Sequence, residues 1–173
     1  MKISVPIEKL FPTPPLFATS VAARDFLHLN IAEGAPCPVC EQNVKLYSRL
    51  LDSNKVRFLL SLTKLATPFN PWVHYSKCFF RGRDYPHVQH WNLALMDTAE
   101  GHASGLWAPT AAGRSFAANL CTVPKYVYIY AGRTLGFSVE QIDVQAALGN
   151  RFDYHALMQA KPEDPIWEGT SHG

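Results

Sequence analysis

Acidic residues are almost missing from one long stretch of this chain. Between Lys45 and Arg83 only Asp52 stands against eight basic residues, Lys45, Arg49, Lys55, Arg57, Lys64, Lys77, Arg81 and Arg83. A local cationic surface attracts phosphate backbones whatever the net charge, since screening confines the interaction to about 10 Å. Long hydrophobic runs are missing too: no stretch of about eighteen or more apolar residues occurs, which argues against a membrane-spanning helix. The start, MKISVPIEKLFPTPPLF, is broken by prolines before an apolar signal core can build, so a soluble, cytoplasmic protein in a reducing compartment is expected. Catalytic signatures are absent as well. There is no Gly-rich phosphate loop, no Gly-x-Ser-x-Gly elbow and no His-Glu-x-x-His. His87, His90 and Asn92 have nuclease-like residue types, but no paired acids accompany them, and no catalytic residue is assigned.

What is present is a chain of 173 residues, 47% hydrophobic and 17% charged, which suits one packed domain or a domain with a small appended module. The net charge of +2 hides an asymmetry. From Phe137 onward Glu140, Asp143, Asp153, Glu163, Asp164 and Glu168 outweigh Arg151 and Lys161. Residues 1–43 read as a proline-rich arm with a short helix around Val21 to Leu29. In VKLYSRLL, Val44, Tyr47, Leu50 and Leu51 fall at helical spacing. Ser53 is placed to cap a helix from Asn54 to about Ala66, which Thr67, Pro68, Asn70 and Pro71 end.

The segment from Trp72 to Gly113 carries the functional argument. Val73 to Phe80 predicts a short helix, Arg81-Gly82-Arg83-Asp84 a turn with Asp84 as N-cap, and Tyr85 to Trp91 a second helix with Pro86 in its first turn. Val88 and Trp91 then face inward. Arg83, His87, Gln89, His90 and Asn92 face outward, and these are side chains that hold phosphates or read base edges. Strands at Leu93 to Met96 and Leu106 to Ala108 flank a small polar loop, Asp97 to Gly105, and Thr110 caps a helix through Gly113, Phe116 and Leu120. A helix, turn, helix and β-hairpin in that order is the layout of a winged helix domain.

The run from His90-Trp91-Asn92-Leu93 through Ser104-Gly105-Leu106-Trp107-Ala108-Pro109-Thr110 to Gly113-Arg114-Ser115-Phe116 resembles the recognition helix, wing and exit of winged helix-turn-helix DNA-binding proteins. The likeness covers about residues 54–120. It implies duplex-DNA contacts for Arg81, Arg83, His87, Gln89, His90 and the wing residue His102. This sequence departs from the pattern in its very short first motif helix and in the scarcity of Lys and Arg in the wing. The whole chain is also similar to uncharacterised proteins of bacteriophages and prophages that join a Cys-Pro-x-Cys start to such a region. That likeness implies a host-cell cytoplasm and brings no known activity of its own. The role expected from the chain as a whole is transcription regulation in phage or prophage gene control, or else host-virus interaction.

Four cysteines, Cys37, Cys40, Cys78 and Cys121, offer a second line of argument. Cys37 and Cys40 supply two thiolates from one loop, and His74 and Cys78 are spaced i, i+4. The four together would make a tetrahedral structural zinc site. His87 and His90 at i, i+3 are an alternative ligand pair, and the bland alternative is that the cysteines are small buried or turn residues.

Toward the C-terminus, KYVYIY and Arg133 to Phe137 read as a hairpin about Ala131-Gly132. Ser138 with Gln141 has capping-box spacing, Val144 to Leu148 ends a helix before Gly149, and Asp153 caps a last turn. The expectation is an α+β protein: residues 1–43 a Cys-x2-Cys arm, 44–121 a winged helix-turn-helix core, 122–160 a hairpin-helix extension and 161–173 a loose tail. The expected activity is non-catalytic binding of double-stranded DNA. The alternative is an inhibitor or adaptor that binds a host protein through the same fold, and the acidic region is read as support for the core or as a homodimer surface.

Overall fold

The structure is a computed structural model that describes residues 20–80, 82–99, 102–161 and 164–168. It is a mixed α+β protein built from short helices and small sheets. The chain divides into two compact units, one of residues 1–48 and 128–135, the other of 49–127 and 136–173. Among the described residues no helix is long and apolar enough to cross a membrane.

The first unit opens with α1, Ser20–Asn30, followed by the two-residue strands β1, Ala35–Pro36, and β2, Asn43–Val44, paired antiparallel. Next comes β3, Tyr47–Leu50. VKLYSRLL therefore forms strands and not the expected helix. Its spacing of apolar residues fits both periods over so short a run, and strand pairing, of β2 with β1 and of β3 with β8, decides between them.

The second unit is organised around α2, Ser53–Leu65. Asp52, one residue earlier than the expected Ser53, is its N-cap, and its carboxylate accepts from the amides of Asn54 and Lys55. Every residue from Lys55 to Leu62 is buried, because α2 packs against α3, α4, β6 and a 3-10 helix, all introduced below. A helix covered on that many sides needs apolar residues on more than one face, which Val56, Phe58, Leu59, Leu60 and Leu62 supply, while Lys55, Arg57 and Ser61 are buried beside them.

After α2 the predicted helix Val73 to Phe80 is replaced by β4, Val73–His74, and a single 3-10 turn, Tyr75–Lys77, with Cys78 beyond it. Val73 and His74 pair with Trp107 and Leu106, and that ladder holds the segment extended. A 3-10 helix, Tyr85–Trp91, follows, then β5, Ala94–Ala99, and β6, His102–Pro109. The sheet order is β4-β6-β5. Leu93 is fully buried between the helix and β5, and α3, Ala111–Ala117, starts at Thr110, whose hydroxyl accepts from the Gly113 amide. The helix ends at Ala117, short of the expected Leu120.

Two-residue β7, Val123–Pro124, precedes β8, Tyr126–Tyr130, and β9, Arg133–Phe137, and β8 is the middle strand between β3 and β9. Ser138 does not begin a capping box. Its hydroxyl accepts from the Tyr126 amide and donates to the Glu140 carbonyl, and β10, Gln141–Ile142, pairs back with β7. Asp143 and Asp153 instead cap α4, Val144–Leu148, and α5, Tyr154–Gln159. Within the segment expected to be loose, Pro165–Glu168 form a 3-10 turn with Trp167 buried.

Candidate nucleic-acid interface

The Tyr85–Trp91 helix is 3-10, so residues three apart eclipse and the helix has three faces in place of a continuous α-helical stripe. Tyr85, Val88 and Trp91 form one of them. Val88 and Trp91 are buried, and the Trp91 indole N–H donates to the Pro124 carbonyl at 2.6 Å. Tyr85 joins an aromatic cluster with Phe58, Phe80, Tyr75 and Trp107, at centroid distances of 4.8, 4.6, 5.6 and 5.7 Å. His87 and His90 form the second face, their rings stacked with centroids 5.9 Å apart and 29° between planes. Pro86, Gln89 and Asn92 lie along the third, with Gln89 and Asn92 exposed.

Asp84 does not cap this helix with its side chain, because its backbone is already αR. Its carbonyl instead lies 3.1 Å from Nδ1 of His87, with its carboxylate at 3.9 Å. That anchors the His87 ring from the helix start. Partial burial, and secondarily the neighbouring His87, pull the His90 pKa below the ordinary imidazole value.

Asn92 was expected among the base-reading residues, and its backbone has a second task. It sits in the left-handed region at φ 56°, where Asn is tolerated, and ends the helix with its amide donating to the Gln89 carbonyl. The Thr110 hydroxyl donates to the Asn92 carbonyl at 2.7 Å, tying the helix end to the start of α3. Thr110 and Gly113 are thus positioning residues for the motif, and the Thr-x-x-Gly spacing after β6 is the signal that marks them.

The segment expected to be a wing is more strand than loop. The polar residues Asp97 to Gly105, expected as a loop, belong largely to β5 and β6, whose register shifts between Met96 and Thr98. The irregularity accommodates the polar residues, since Ser104 donates to the Asp97 carbonyl across it and accepts from the Leu106 amide. Gly105, at φ 79°, is needed here: a Cβ would lie 2.6 Å from Nε2 of His74. Arg81 lies outside the described residues, and so does the side chain of His102.

Much of the basic run is consumed inside the second unit. Lys55 is buried and bonded to Asp52 at 2.6 Å. Arg57 is buried, donates to the Trp167 carbonyl and to Asn54 Oδ1, and stacks 4.3 Å over the Phe152 ring. Lys64 donates to the Ala160 carbonyl at 2.6 Å. Lys77 and Arg83, by contrast, are exposed. Lys77, part of the basic run but not among the expected DNA contacts, also lines a cavity of about 460 Å³ with Leu65, Asn70, Trp72 and His74.

The expected zinc ligands fall in different units, Cys37 and Cys40 in the first, His74 and Cys78 in the second. Without the predicted helix, His74 and Cys78 lose their i, i+4 relation: Nδ1 of His74 meets the Ser76 hydroxyl at 2.7 Å. Cys78 is buried against Ser61, and burial pushes its thiol up to about 11. Among the described residues, no three His, Cys, Asp or Glu side chains are grouped to hold a metal ion. No protein family, curated protein or solved structure matches the chain.

Proposed function

We propose that this chain is a non-catalytic duplex-DNA-binding protein of winged helix type, acting in bacteriophage or prophage gene control. The observation that carries the reading is the sheet order β4-β6-β5, with α2 preceding β4 in the chain and the two 3-10 segments lying between β4 and β5 in sequence. A strand after the first helix that returns to pair with the second strand of a hairpin is the arrangement a winged helix requires. The Tyr85–Trp91 helix then occupies the recognition position, with His87, Gln89, His90 and Asn92 on its outer faces and Arg83 in the turn before it. Gln89 and Asn92 have the donor and acceptor pair that matches an adenine edge, and Arg83, Arg81 and Lys77 supply phosphate contacts. A helix of seven residues reads few bases, so backbone contacts dominate its affinity.

The salt dependence is set by that small cation count. Three phosphate contacts give a slope of about −2.7 in log affinity against log salt, roughly a fortyfold loss between about 50 and 200 mM. Fluorescence anisotropy with a labelled mixed-sequence duplex measures it. Arg83→Ala is expected to make the slope shallower by about 0.9. Absence of salt-sensitive binding would reject the reading.

A second reading, docking of a host protein on the same motif, is favoured by Leu95 and Trp72, both large, apolar and exposed. Salt-insensitive capture of a polypeptide that Leu95→Asp abolishes would support it over DNA.

A further inference from the structure

The Cys37-Pro38-Val39-Cys40 segment is the turn of the β1–β2 hairpin, and its geometry is specific. Ala35 pairs with Val44 and Pro36 with Asn43, the Cys37 amide donates to the Gln42 carbonyl at 2.7 Å, and the Glu41 amide donates to the Cys37 carbonyl at 2.8 Å. Glu41 closes the turn at φ 60°. This wraps the backbone about the first sulfur. The backbone of Val39 and Cys40 and the side chain of Cys40 hydrogen-bond to Cys37, so one tight turn holds both sulfurs. Both cysteines are free, Cys37 half-buried and Cys40 exposed. Between them, at the tip, Val39 is 81% exposed.

We propose that this turn is a two-thiolate half-site for a soft tetrahedral cation, Zn²⁺ by its chemistry, completed by the same turn of a second copy of the chain. Two converging thiolates satisfy half of a tetrahedral S4 shell, and among the described residues no third ligand joins them. A two-fold axis through the ion brings two identical turns together and supplies the other half with the same residues. The same axis covers the two exposed Val39 side chains against each other, which gives an apolar side chain at a loop tip a place to be buried. Binding takes four neutral thiols and one Zn²⁺ to a tetrathiolate complex with release of four protons, and no oxidant or reductant takes part.

Co²⁺ serves as the spectroscopic probe. Titrated anaerobically into the full-length, metal-free protein under reducing conditions, it is expected to give thiolate charge-transfer and tetrahedral d–d bands that saturate at one ion per two chains. The mass by light scattering should double over the same titration, and Zn²⁺ should displace the colour. Cys37→Ser and Cys40→Ser should each abolish the bands and the doubling, while Cys121→Ser, which alters an exposed cysteine elsewhere, should leave both unchanged. Circular dichroism of the serine variants separates loss of the site from loss of fold. Saturation at one ion per chain with unchanged mass, bands that survive Cys37→Ser, or no tetrahedral bands at all would each overturn the proposal.

Discussion

The imidazole of His90 is held below the ordinary histidine range first by partial burial and then by the His87 ring stacked 5.9 Å away. In the window below about 6.5, the unfolded chain carries a proton at this residue that the folded chain does not. Unfolding therefore takes up protons there, and this residue's effect is to lower stability as pH falls through the window. Phosphate has the opposite preference. It favours the imidazolium, so DNA affinity should rise over the same window while the free protein weakens. Urea melts and anisotropy at about pH 7.5 and about pH 5.5 should show both trends, and His90→Gln should reduce each. If the variant loses as much stability on acidification as the parent, His90 is not the titrating group. At this scale the sequence made the residue types legible but not their second tasks. Asn92 announced itself as a polar side chain on a helix, whereas the left-handed backbone that makes it a helix end depends on Thr110, eighteen positions later.

The seven residues of α3 depend on how closely they approach the end of the 3-10 helix. A Cβ on Gly113 would lie 1.9 Å from the Leu93 carbonyl oxygen, a backbone atom that accepts from the Thr110 amide and cannot turn aside. Gly113→Ala must push α3 off that carbonyl, and overpacking against backbone predicts a loss of about 3 kcal/mol or more. Gly136, inside β9, is the internal control, because a Cβ added there would meet nothing within 4 Å. Gly136→Ala should be neutral or slightly stabilising, and equal losses from the two substitutions would remove close approach as the explanation. Elements were legible in proportion to their length. The apolar residues of α2 repeat often enough to place the helix within one residue at each end, as Ser53–Leu65 against Asn54–Ala66. Strands of two residues, such as β2 and β4, leave no period to read, and their extended backbone is fixed by partners far along the chain: Val73 by Trp107, for example.

The whole chain's charge pattern looked like a basic middle and an acidic tail, and the second unit shows where several of those charges go. Arg57 donates to the Trp167 carbonyl, Lys64 donates to the Ala160 carbonyl and lies 5.5 Å from the Trp167 ring, and the Trp167 indole donates to the Lys161 carbonyl. No count of charges along a sequence reveals that long basic side chains on a buried helix reach carbonyls about a hundred residues away, since their apolar stems are what place them there. This predicts a separation that the linear pattern does not. Trp167→Ala empties a buried aromatic site and loosens the turn whose carbonyl Arg57 uses, with an expected loss of about 3–5 kcal/mol in urea unfolding. Arg57→Leu strands that carbonyl and is expected to cost about 1–3 kcal/mol, while the double variant should fall short of the sum because the two share one contact. Neither substitution should change the salt slope of DNA binding in protein that remains folded, whereas Arg83→Ala should change the slope and leave the unfolding midpoint within experimental error. A slope that falls when Arg57 is replaced would mean that the buried cations, and not the exposed turn before the 3-10 helix, face the phosphates.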